Sequence, residues 1–239
     1  MHFLITRPQP DADNLAKTLK ARGHQCTISP LIELEYLTPP ALDLTDAQAI
    51  IITSRNALRA ISRHPKCAEL IGLPLNLVGQ QTAKLAEEIG FKKIGYIAEN
   101  AEELASHIKD NSKPAAGKFL YLTGEHLSFD IATYLENHHF KLKRTTLYRA
   151  KSIGELNSSI QKIILDDLVD GVILLSPRTA KIYTKLIQKH HLTDHARKPT
   201  HYCLSENVGD ALSELAPVSL QIPDNPNLAA LLALIRDNS

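Results

Sequence analysis

The chain has no tryptophan, one methionine and only three cysteines in 239 residues. Cys26, Cys67 and Cys203 stand apart, with no CxxC pair and no zinc-type spacing. A disulfide framework is therefore not expected and a reducing compartment is more natural; isolated thiols of this kind read as buried packing residues, with a cysteine nucleophile as the alternative. Long apolar runs are also missing: nothing approaches the roughly 20 residues that a helix needs to span a bilayer. The opening MHFLITRPQP lacks the basic and then apolar profile of a secretory signal. Charge of one sign is absent too. Lys and Arg number 27 against 26 Asp and Glu, a formal net charge of +1, which argues against a nucleic-acid or membrane-surface binder. Neither GxGxxG nor GxxxxGK[ST] occurs, so nucleotide-phosphate motifs are lacking. There is no HExxH and no convergent metal set. His138-His139 and His190-His191 sit at expected helix ends, where histidine complements the helix dipole. The expectation is a cytoplasmic monomer without cofactor, nucleic-acid partner or membrane contact.

What the sequence does have is 44 % hydrophobic and 22 % charged residues, the composition of a packed globular protein. Short apolar runs alternate with helical patterns. HFLIT precedes residues 11–22, AIIIT precedes 56–63, LNLV precedes 81–89, KFLYLT precedes 129–137, and GVILLS precedes 179–188. Leu15 and Leu19, Leu85 and Ile89, Ile131 and Leu135, and Ile182 and Leu186 repeat at i,i+4 within these stretches. Strand runs apolar at every position, such as Ile50-Ile51-Ile52, are covered on both faces in parallel sheets. The alternation predicts βαβ units, hence an α/β protein with parallel sheets.

The units also repeat. MHFLITRPQPDADNLAKTLKARGH aligns with GKFLYLTGEHLSFDIATYLENHH, and AIIITSRNALRAI with GVILLSPRTAKIYTKLI. LNLVGQQTAKLAEEIG aligns with HYCLSENVGDALSELA, and AENAEELASHI with PDNPNLAALLALI. The same four units thus occur twice in one order, at an offset of roughly 120 residues. Two segments interrupt the rhythm. LIELEYL (31–37) alternates apolar with acidic or aromatic residues, and TTLYRAKS (145–152) is a second extended candidate. They could pair as a ribbon between two domains, or each be an ordinary edge strand.

In this order and spacing the fragments ITRPQPDADNLAKTLKARGH, PLIELE, IITSRNAL, VGQQTAKLAEEIGF, AENAEELA, FLYLTGEH, TTLYRA and ILLSPRTA resemble uroporphyrinogen III synthase. The resemblance covers nearly the whole chain. It implies two similar parallel-sheet, Rossmann- or flavodoxin-like α/β domains joined by a two-stranded β-ribbon. One domain would be inserted in the other: residues 1–31 with 154–239 outside, 38–145 inside, and 32–37 with 146–153 as linker strands. It also implies a lyase that needs no cofactor. The linear tetrapyrrole hydroxymethylbilane would lose its hydroxyl, invert ring D through a spiro intermediate and close to uroporphyrinogen III in the cleft between the domains. The competing function is a non-catalytic module on the same scaffold that closes on an anionic small molecule, since fold alone does not decide function.

Candidate site residues follow from strand ends, where α/β sheets bind ligands and helix N-termini favour anions. Thr53-Ser54 and Ser176 stand at two such ends. Capping of the following helix and contact with substrate are both open for them, and are compatible. Gly79 and Thr82 in VGQQTA, and Gly124 in LTGEH, stand at others, glycine permitting close backbone approach to a ligand or simply making a turn. Arg7, Arg55 and Arg178, with Lys84, offer cations near these ends for carboxylates, against the plainer role of surface charges. Arg55 and Arg178 read as repeat mates. Ser205 takes the glycine place in the second VGxxTA unit, and Val208 the threonine place, both departures from the family pattern. A further departure is Leu127-Ser128-Phe129 where the family carries a basic residue. Tyr148 in TTLYRA is, on local pattern, a strand tyrosine. The resemblance implies more for it: a catalytic phenol beside the cleft that helps the hydroxyl leave.

Overall fold

Over residues Met1–Asp237, which the computed structural model describes, strands and helices alternate as the hydrophobic periods demand. The strands are β1 (His2–Ile5), β2 (Gln25–Ile28), β3 (Ile32–Tyr36), β4 (Ala47–Ile52), β5 (Leu75–Val78), β6 (Ile94–Ala98), β7 (Lys118–Gly124), β8 (Lys141–Ser152), β9 (Gly171–Leu174), β10 (Thr200–Cys203) and β11 (Ser219–Gln221). Contacts divide the chain into two units, one made of Met1–Glu33 with the chain from Lys151 onward, the other of Leu34–Ala150.

The first unit carries the sheet β11-β10-β9-β1-β2, with every neighbouring pair parallel. The second carries β3-β8-β7-β4-β5-β6, parallel from β8 to β6. The repeat alignment equates β1 with β7, β9 with β4 and β10 with β5. Both sheets therefore run in one order, each with the strand after the first aligned unit (β2, β8) beyond it and β11 or β6 at the far side. The chain is an α/β protein of two parallel-sheet units.

Burial on both faces explains the unbroken apolar strands. Ile50 and Ile52 of β4 pack into one core layer with Leu120 and Leu122 of β7. Ile51 turns to the opposite layer with Phe119 and Tyr121. In the first unit Leu4, Val172 and Leu174 face one layer, while Phe3, Ile5 and Ile173 face the other. Successive residues of a strand point to opposite faces, so two covered faces require an apolar residue at each step.

The expected extended segment at 145–152 is the far end of a 12-residue strand, β8. Its first part lies parallel to β7 from Lys141 to Tyr148. β3 is the edge strand beside it. The bonds from Leu37 N–H to Leu147 O (3.0 Å) and from Ile153 N–H to Leu31 O (3.1 Å) run the two strands antiparallel. The division between the units, at 33/34 and 150/151, falls inside both strands. The start of β8 escapes the apolar-run signal because Lys141, Lys143 and Arg144 are exposed.

Candidate functional site

The site is built at the carboxyl ends of the parallel strands, beginning with Ser54. Extended at φ −152°, ψ 139°, it precedes the helix Arg55–Ile61, and its Oγ accepts from the Asn56 N–H at 3.1 Å. Ser176 is its counterpart before the helix Pro177–Lys189, accepting from the Thr179 N–H at 3.1 Å and sharing a 2.8 Å hydrogen bond with Thr179 Oγ1. Both serines are caps, which satisfies helix-end donors otherwise left to water. Superimposing the caps corrects one sequence expectation. Arg55 is the first residue of its helix and Arg178 the second of its own, so the two arginines are not equivalent. One residue of helix is about 100° of rotation.

Tyr148 sits one strand over from the end of β7. The pairing of β7 with β8 holds one offset from Lys118↔Lys141 to Thr123↔Thr146, then shifts so that Gly124 faces Tyr148. Leu147 is thereby an extra residue in β8, a bulge. In consequence Leu147 and Tyr148, though consecutive, pack against the same core layer as Ile50 and Ile52. Gly124 supplies the room. A Cβ placed on it would lie 2.5 Å from Tyr148 Cζ and 2.8 Å from its hydroxyl oxygen. The close approach at this glycine is thus made by a protein side chain. Burial pushes the pKa of the Tyr148 phenol up, and the neighbouring Ser54 hydroxyl offsets this only in part. A phenol held above its usual range is protonated at neutral pH and able to donate.

Gly79 has φ +86°, a conformation that favours glycine, and caps the helix Gln80–Ile89 without a side chain. Thr82, third residue of that helix, is buried. So are Thr179 and Val208, third residues of the helices Pro177–Lys189 and Glu206–Asp210. Val208 joins the first unit's core among Leu174, Cys203 and Leu212. The valine that departs from the family pattern therefore fills a slot that is buried at every copy. Ser205 precedes Glu206–Asp210 in an extended conformation, half-buried, and its side chain makes no capping bond.

Arg7, after β1, is ion-paired with Asp11 at 2.9 Å, with the two side chains 19 % and 14 % exposed. An anion bound there would share the arginine with Asp11. Thr53, Arg55 and Arg178 are half-buried, while Lys84 is exposed. Ser54, Gly124 and Tyr148 thus meet in the second unit, where β5 beside β4 brings Gly79 and Thr82 to the next strand end. Arg7, Ser176, Arg178 and Ser205 gather at the ends of β1, β9 and β10 in the first. The apposition of Ser54 and Gly124 with Tyr148 was missed by sequence reasoning, because a bulge leaves no mark in TTLYRA.

Other reactive groups are quiet. Cys203 is buried and its thiol pushed up to about 12, and burial raises Cys26 and Cys67 as well. Protonated thiols are poor nucleophiles. Among the described residues no group of three or more His, Cys, Asp or Glu could hold a metal ion, and no helix is long and apolar enough to cross a membrane.

A sequence model of the family described as uroporphyrinogen-III synthase HemD matches residues 13–233. Among solved structures, the uroporphyrinogen-III synthetase of Helicobacter pylori is similar over 98 % of both chains, at 21 % identity and a TM-score of 0.63. A mutant uroporphyrinogen III synthase from Thermus thermophilus is similar over 98 % of this chain and 96 % of its own, at 12 % identity and a TM-score of 0.54. At these identities the two structures speak to the fold. No curated protein matches the chain.

Proposed function

Because the chain belongs to the uroporphyrinogen-III synthase family, we propose that it converts hydroxymethylbilane to uroporphyrinogen III, with loss of water, inversion of ring D and closure of the macrocycle. The observation that carries this reading is Tyr148, a half-buried phenol that burial keeps protonated, held beside the carboxyl end of β7 with its ring over Gly124. In the reaction its hydroxyl donates to the departing hydroxyl, which leaves as water. The closing pyrrole carbon later releases a proton, and the phenol is restored. Burial opposes a free phenolate, so donation through a hydrogen bond dominates over full ionisation. The remaining work is positioning of a flexible substrate that would otherwise close to the wrong isomer.

Substrate carboxylates are met by Arg7, Arg55 and Arg178, by the hydroxyls of Thr53, Ser176 and Ser205, and by backbone N–H groups after Gly79. Thr82 acts from behind, through packing. The enzyme works as a cytoplasmic monomer without cofactor. The alternative, a non-catalytic module for an anionic small molecule, draws on Ser205 and Val208. Burial of Val208 in a packing slot accounts for the second of these as a core residue.

The test supplies freshly made hydroxymethylbilane and separates the oxidised products. Isomer III, formed faster than spontaneous closure, is expected. Isomer I alone, at the uncatalysed rate, would overturn the proposal.

A further inference from the structure

We infer that Gly124 and Ser54 are positioning residues that, with the bulge at Leu147, form a socket aiming the Tyr148 hydroxyl. This rests on the function proposed above and assigns roles that differ from substrate contact for both residues.

Three observations converge. In an unbulged β8, Tyr148 would point away from the face used by Leu147, because side chains alternate. The shift in pairing between Thr123 and Gly124 places both on one face. Bulges near functional sites commonly re-aim a side chain in this way. Once turned, the ring needs space over its cross-strand partner, and only glycine leaves it. A Cβ on Gly124 would stand 2.5 Å from Cζ, 2.8 Å from the hydroxyl oxygen and 2.9 Å from Cε2 of Tyr148. Gly124 lies in regular strand, outside the positive-φ glycines, so left-handed backbone does not account for it. Finally, Ser54 is held in place as a helix cap, its Oγ accepting from the Asn56 N–H at 3.1 Å, and its hydroxyl acts on the Tyr148 phenol against the effect of burial. Because that cap bond uses a lone pair, the serine's own hydrogen is left to donate to the phenol oxygen in the inferred socket. The helix cap thereby fixes the serine, and the serine fixes the tyrosine.

The experiment uses the full chain labelled with 3-fluorotyrosine at its seven tyrosines, the Tyr148 resonance being identified by its loss in Tyr148→Phe. In Gly124→Ala that resonance is expected to move while the others stay. With hydroxymethylbilane, kcat is expected to fall ~10- to 100-fold at nearly unchanged KM, as for a misplaced catalytic group. Ser54→Ala is expected to act in the same direction, and Ser54→Thr, which keeps cap and hydroxyl, to restore both readings. An unmoved Tyr148 resonance in Gly124→Ala, or a moved one with full kcat, would overturn the inference. If Gly124→Ala does not fold, the Ser54 pair decides: equal behaviour of Ala and Thr variants would overturn it. Should the wild-type chain yield only isomer I, the proposed function falls, and the fluorine measurements still judge the socket.

Discussion

Tyr148 and His201 show how burial sets the chemistry of single residues in this protein. For Tyr148, replacement by Phe removes the donor and keeps the ring. The expected outcome is a kcat loss of about 100-fold, at the low end for a general acid because the phenol acts by hydrogen bonding. Stability should be nearly unchanged, since the hydroxyl is only one bond of the site. Because the phenol is held above its usual range, the pH profile of kcat should show no loss through phenol ionisation near pH 10, which a stopped-flow series in alkaline buffer can check. His201, on β10, is fully buried in the first unit against Tyr183, with ring centroids 5.7 Å apart. Burial lowers its pKa to about 4, and backbone groups of Ser219 and Pro199 offset this only in part. The neutral form is thus favoured by folding. Above the unfolded value near 6.5 the group costs nothing, and as pH falls from there towards 4 the unfolded chain takes up the proton first. Stability should then drop by at most about 3 kcal/mol from this group. Urea titrations at pH 7 and pH 4.5 should show a smaller difference in His201→Phe than in the parent; equal differences would refute the assignment.

At the scale of elements, helix ends repeat one backbone solution. Five of the described helices end in one motif, with the residue at the end left-handed: Gly23 (φ 79°), Gly90 (φ 112°), His139 (φ 65°), Asp167 (φ 53°) and His191 (φ 56°). In the aligned repeat, Gly23 and His139 occupy the same place, and the next N–H bonds back to Leu19 O and Leu135 O respectively, each at 3.1 Å. The double histidines thus mark helix ends, as read from the sequence, but their second members adopt a backbone in which glycine is favoured. Relief of left-handed strain, about 1–2 kcal/mol, outweighs glycine's extra unfolded-state entropy of about 0.5–1 kcal/mol. His139→Gly and His191→Gly should each raise unfolding free energy by about 0.5 kcal/mol, read as a higher urea midpoint. His139→Val should lower it. Asp167 differs because its carboxylate binds His195 at 2.9 Å and Lys198 at 2.5 Å, so a glycine there would lose contacts as well. Elements of this kind were legible in part. The caps at Ser54 and Ser176 follow from a hydroxyl before a helical period, whereas the bulge at Leu147 depends on how β8 pairs, and pairing is not a local property.

The whole molecule follows from the repeat and from where the chain breaks it. Because β1 aligns with β7 while β9 and β10 align with β4 and β5, the first unit needs both ends of the chain and the second needs only Leu34–Ala150. Both core layers of the second unit are built within that span. Residues 34–150 expressed alone should therefore unfold cooperatively in urea with dispersed amide resonances, while residues 1–33 should not fold. A fragment without a cooperative transition would show that the second unit depends on the first. By itself the sequence determined the α/β class, the parallel sheets, the repeat and the serine caps, because apolar periodicity and hydroxyl capping act over a few residues. Only the tertiary structure decided that Gly124 makes room for a ring, that Thr82 and Val208 fill equivalent buried slots, and that Arg55 and Arg178 differ by one helical step. Those facts depend on strand register and on side chains brought together from distant positions, which no stretch of the sequence contains.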